Sequence, residues 1–127
     1  MEKVNLWDIE GVEYPAGRLS RVIVGENGVI DGTYFVQGFS ELYPNGGGIP
    51  EHEHEPEETY FIISGEGEMT VDGDAFTVKT GDLILVRSGE KHSLYNRSTD
   101  QSLKIMYVYA PKQVVDHWAQ ELSGELK

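Results

Sequence analysis

The chain has 127 residues, 39% of them hydrophobic, with ten basic residues against 22 acidic ones, a formal charge of −12 and no cysteine. The absence of cysteine excludes disulfides, thiolate nucleophiles and thiolate zinc sites, and the negative charge opposes binding to nucleic acid or to an anionic membrane surface. Length and even composition predict one domain over 1–127, and with no basic-then-apolar leader and no bilayer-length apolar run, the expected location is cytoplasmic.

Runs rich in β-branched and aromatic residues predict strands over 19–24, 33–43, 50–54, 59–64, 68–71, 75–78, 83–86, 92–96 and 102–109. Glycine-bearing turns separate them, among them Asn27-Gly28, Gly65-Glu66-Gly67 and Thr80-Gly81-Asp82. Asp72-Gly73, between Met69-Thr70-Val71 and Ala75-Phe76-Thr77-Val78, is the strongest hairpin signal, because a two-residue type I′ turn favours that dipeptide. After Pro111, the stretch 112–122 spaces Val114, Val115, Trp118 and Leu122 at a helical period. This helix is expected to pack outside the sheets or on a partner subunit, with His117 on its polar side as a surface residue. The fold class is therefore all-β with a short C-terminal helix.

The run Glu51-His52-Glu53-His54-Glu55-Pro56-Glu57-Glu58 carries the chemistry. An acidic run alone is a solvated face. On a strand, however, His52 and His54 point to the same side, as two ligands of one cation must. Glu58 follows at a distance from which its carboxylate can fold back beside the pair, and His92 must arrive from a different strand. Three imidazoles and one carboxylate suit a borderline divalent transition metal: one ion per chain, with manganese, iron, nickel and zinc all compatible.

Two spacings resemble the motifs of the cupin superfamily. Gly46-x5-His52-x-His54-x3-Glu58-x6-Gly65 fills every position of its first motif, over 46–65. Gly81-x5-Arg87-x-Gly89-x2-His92-x3-Asn96, over 81–96, fills the second except that Arg87 stands where the family has proline. The resemblance implies a double-stranded β-helix, the jelly-roll barrel of small single-domain metal-binding cupins. It also implies His52, His54, Glu58 and His92 as metal ligands. Motif spacing selects Glu58 over Glu57, and Glu53 and Glu55 fall out of phase with the histidines, facing solvent. Arg87 either costs the turn a little rigidity or stands at the barrel mouth to grip an anionic ligand.

Strand phase places Tyr60 on the Glu58 side, and Tyr107 and Tyr109 on the face opposite Lys104, making these tyrosines candidate substrate contacts. Ser64, Ser88 and Ser93 form no triad pattern, and no residue stands out as the general acid or base. The expected protein is a metal-dependent enzyme acting on a small oxygen-rich compound such as a sugar, sugar acid, keto acid or enediol, by isomerase, dioxygenase, decarboxylase or lyase chemistry. The alternative is a non-catalytic module that binds metal and a small ligand. Open β-edges, the helix stripe and the resemblance all predict a homodimer.

Overall fold

The computed structural model describes residues 1–112 and 117–126. A 3₁₀ turn at Leu6–Asp8 precedes ten strands: β1 (Val12–Tyr14), β2 (Arg18–Val24), β3 (Val36–Leu42), β4 (Gly48–His52), β5 (Glu57–Ser64), β6 (Glu66–Val71), β7 (Asp74–Lys79), β8 (Leu83–Val86), β9 (His92–Asn96) and β10 (Leu103–Ala110). A helix, α1 (His117–Ser123), follows. One sheet has the order β1-β2-β3-β10-β5-β8 and the other β4-β9-β6-β7. Consecutive strands that cross between the two sheets make the jelly roll that the sequence predicts.

Alternation decides which face is buried. On β10, Leu103, Ile105, Tyr107 and Tyr109 are buried, while Lys104, Met106 and Val108 are only half-buried on the opposite face. On β5, Glu58, Tyr60 and Ile62 turn inward, leaving Phe61 and Ile63 exposed. These inner faces meet Ile49, Met69 and Leu94 of the smaller sheet in a continuous core, each large apolar side chain contributing about 1.5–3 kcal/mol on burial. At the expected hairpin, Asp72 and Gly73 both have positive φ, 46° and 86°, and Val71 pairs with Asp74. That is the I′ geometry, whose twist matches the flanking strands.

Three local expectations change. The strand expected over 50–54 is β4, which starts at Gly48 and ends at His52, so His54 lies in the loop that turns at Pro56. Pro50 brings a register irregularity, because Ile49 pairs with Leu94 and His52 with His92. Proline supplies no ladder N–H, and a bulge tolerates that. β1, only three residues long, is too short for a periodic signal. The terminal helix does not pack outside the sheets: Trp118 packs against the core, and His117 and Glu121 are buried. Val114 and Val115, which the sequence assigned to its stripe, lie outside the described residues, and Leu122 is exposed.

Candidate metal centre

Both sheets contribute to the histidine cluster. His52 ends β4 and His92 begins β9, as direct cross-strand partners with ring centroids 4.1 Å apart. Glu58 reaches in from β5 of the other sheet, and His54 from the connecting loop. That loop is pinned where the Gly89 N–H donates to the His54 carbonyl (3.0 Å). One donor atom from each of His52, His54, Glu58 and His92 lies within 4.8 Å of every other. Metal–ligand bonds of about 2.1 Å place donor atoms about 3 to 4 Å apart around one ion, so the cluster needs little contraction to close on a cation.

Hydrogen bonds fix the imidazoles in the orientation that coordination needs. Nδ1 of His52 faces the Pro50 carbonyl at 2.8 Å, Nδ1 of His54 the Pro56 carbonyl at 2.9 Å, and Nδ1 of His92 the Glu90 carbonyl at 2.8 Å. A carbonyl only accepts, so each Nδ1 carries the proton and each Nε2 is aimed at the cluster. The Nε2 atoms of His54 and His92 lie 3.1 and 3.3 Å from Glu58 Oε1. His52 Nε2, fully buried, has no partner among the described residues. An orphaned buried acceptor costs about 1–3 kcal/mol, and a cation at this point would satisfy it. The donor set therefore fits a divalent transition metal.

Electrostatics agree with that reading. Burial, reinforced by His117 and His92, holds His52 neutral, its pKa well below the ordinary histidine value. Burial also opposes charge on His54, but the hydrogen bond and attraction to Glu58 outweigh it and raise that pKa. Burial would raise Glu58, but its close contacts with His54 and His92 outweigh this and hold it far below the usual carboxylate range. The Glu58 carboxylate thus favours a proton on His54.

The remaining candidates divide. Tyr60, Tyr107 and Tyr109 are all buried, and their rings lie inside the barrel, Tyr60 5.9 Å from the His92 ring and Tyr109 5.8 Å from the His54 ring. Burial is the main cause that raises all three phenol pKa values, so they are neutral hydroxyl groups at physiological pH. Glu53, Glu55 and Glu57 face solvent. Arg87 is exposed too, paired with Glu57 at 3.5 Å. Among the described residues the buried cation is instead Arg18, which the sequence reading missed.

His117 is not a surface residue. It stacks on His52 with centroids 3.8 Å apart and planes 18° from parallel, and its Nδ1 lies 2.9 Å from Glu121 Oε2. Glu121 in turn accepts two hydrogen bonds from Arg18. Its position four residues after His117, one turn along the same helix face, was the available signal for this pair. Arg18 lay just ahead of the expected strand 19–24, in phase with Ser20, where a buried charge has no signal of its own.

A jelly roll that gathers three imidazoles and a carboxylate between its sheets defines a class of metal-binding barrels. The chain belongs to the cupin family: the cupin domain model matches residues 38–109. An oxalate-binding protein of Thermotoga maritima is 41% identical over 54 residues, 42% of this chain and 45% of that protein. An uncharacterized protein of Methanocaldococcus jannaschii, MJ1618, is 38% identical over 56 residues, 43% of this chain and 45% of that one. The matched stretches thus span less than half the length of these relatives. Among solved structures, a predicted oxalate decarboxylase of Thermotoga maritima superposes with a TM-score of 0.74 at 20% identity, covering 87% of this chain and 99% of that one. The DMSP lyase DddQ of Ruegeria pomeroyi gives 0.69 at 21%, covering 89% and 57%. At such identities the structural likeness speaks for the fold alone.

Proposed function

We propose that the protein is a metal-dependent cupin enzyme acting on a small oxygen-rich metabolite of the sugar, sugar-acid, keto-acid or enediol type. The observation that carries this reading is the convergence of His52, His54, Glu58 and His92, with every imidazole Nδ1 held by a backbone carbonyl. These four residues would hold one manganese, iron, nickel or zinc ion per chain, which, when bound, would supply Lewis-acid polarisation of a carbonyl or enolate oxygen. Tyr60, Tyr107 and Tyr109 would contact the substrate as neutral hydroxyls: burial makes them weak acids that keep their protons and stay able to donate hydrogen bonds.

A second reading is a binding module without turnover, favoured by the stretch 41% identical to the oxalate-binding protein. Incubating the metal-loaded protein with sugar acids, keto acids and oxalate, and following substrate by NMR, separates the two. Consumption over many turnovers supports the enzyme, whereas saturable stoichiometric binding with no product supports the module. Under either reading we propose a cytoplasmic homodimer. Phe61, Leu83 and Leu85, exposed side by side on the outer face of β5 and β8, support this by offering an apolar surface that a second copy would cover.

A further inference from the structure

Arg18 is 2% exposed and built into the barrel by groups besides its acidic partner. Its Nη1 donates to the Gly48 carbonyl at 3.1 Å, and the guanidinium carbon sits 4.1 Å from the Tyr14 ring centroid. Both forks of the guanidinium are taken by the Glu121 carboxylate of α1, at 2.5 Å and 2.9 Å. Glu121, 1% exposed, is thus a carboxylate seated bidentately on a fixed, desolvated cation. Between Arg18 and the metal-centre residue Glu58 lies a cavity lined also by Ser20, Tyr60, Tyr107 and His117. Its volume of ≈ 10 Å³ is about what one water needs.

No metabolite can enter that space while α1 is seated. If the barrel receives a small molecule at its metal centre, as the reading above requires, His117, Trp118 and Glu121 must withdraw. Their withdrawal takes from Arg18 the carboxylate that pairs it, and a ligand carboxylate of the same planar geometry replaces it. We propose that Arg18 is the receptor for a substrate carboxylate, and that Glu121 occupies this subsite as an internal stand-in, so that α1 and an anionic ligand compete for the barrel. The proposal rests on the small-molecule reading and narrows it to acids: sugar acids and keto acids rather than neutral sugars. Arg87, exposed and paired with Glu57, has no part in it.

The test uses the full chain with Trp7→Phe, so that Trp118 on α1, packed against Tyr107 and Tyr109, is the sole fluorophore of its type. Malonate, neutral malonamide and inorganic phosphate are titrated into manganese-loaded and chelated protein, with metal content determined separately. Malonate should shift Trp118 emission and malonamide should not. Phosphate binding as tightly as malonate would overturn the carboxylate assignment. Glu121→Gln should bind malonate about ten- to a hundredfold more tightly, because the closed state loses its charge-assisted pair and the competent fraction rises. Glu121→Gln combined with Arg18→Gln, which removes both buried charges together and whose fold is verified by circular dichroism, should lose that gain in loaded and chelated protein alike. Unchanged affinity in Glu121→Gln, or full affinity in the double variant, would overturn the proposal. Arg18-dependent malonate binding by a protein that takes up no metal would instead sink the enzyme reading and leave the subsite standing.

Discussion

Gly38 of β3 pairs directly with Tyr107 of β10, and a Cβ placed on Gly38 would overlap the Tyr107 hydroxyl and its ring carbon Cζ, with Cε1 at 2.9 Å. The backbone of Gly38 is in the ordinary strand region, so Gly38→Ala tests packing rather than conformation. Tyr107 is fully enclosed in the core and cannot swing outward. Overpacking of this kind costs about 1–3 kcal/mol, which at about 2.1 cal/mol/K of unfolding entropy per residue lowers the thermal midpoint by about 4–11 °C. The tyrosine hydroxyl, 3.4 Å from Ser20 Oγ, would be displaced, weakening small-ligand binding while metal content stays unchanged. Differential scanning calorimetry of Gly38→Ala in the wild-type and Tyr107→Leu backgrounds isolates the contact, since the smaller side chain frees the space. The coupling energy should be about 1 kcal/mol or more. An equal cost in both backgrounds would refute the inward placement of Tyr107 and, with it, its proposed substrate contact.

Metal affinity should fall with pH from above the ordinary histidine value, because metal must expel the proton that Glu58 holds on His54, whose pKa is raised. Below that pKa the loss should be about tenfold per pH unit, one proton per ion, and metal titrations at several pH values that show no dependence between pH 6 and 8 would contradict it. In chelated protein the same pair has the opposite sign. Its stabilisation through His54 is complete below pH about 6.5 and is lost as pH rises through the raised folded value, which chemical denaturation across that window will detect. In solution the mass should be that of a dimer, and Leu83→Asp, in the middle of the exposed β5–β8 face, should yield monomers by multi-angle light scattering. A monomeric wild type at micromolar concentration would show that this face carries no second copy.

Periodicity made the barrel legible. The alternation on β10 and β5 and the paired positive-φ turn at Asp72-Gly73 are local signals that tertiary context reinforces. The four-residue cluster was legible through motif spacing, but the conformation that delivers His54 was not, because a strand-phase argument assumes a continuous strand and Pro50 and Pro56 interrupt it. Asn96 shows what the second motif's asparagine does here. Its side chain donates to the Leu42 and Gln101 carbonyls and accepts from the Ser98 amide, anchoring the end of β9 rather than touching the site. The network Arg18–Glu121–His117 joins residues 103 positions apart. Neither composition nor period encodes such a pairing, and the polar face of α1 read as solvated because its partner cation lies on another strand.

Metal content of purified and reloaded protein, with the thermal midpoint before and after chelation, decides whether His52, His54, Glu58 and His92 hold an ion. The wild type should hold about one divalent transition-metal ion per chain, and at a free concentration a hundred times Kd the bound metal should add about 2.7 kcal/mol, raising the midpoint by about 10 °C for a chain of this length. His52→Ala with His92→Ala should hold none and show no metal response while keeping its β-sheet circular dichroism. A double variant that still takes up one ion per chain, or a wild type that takes up none, would contradict the assignment of these four residues as a metal centre.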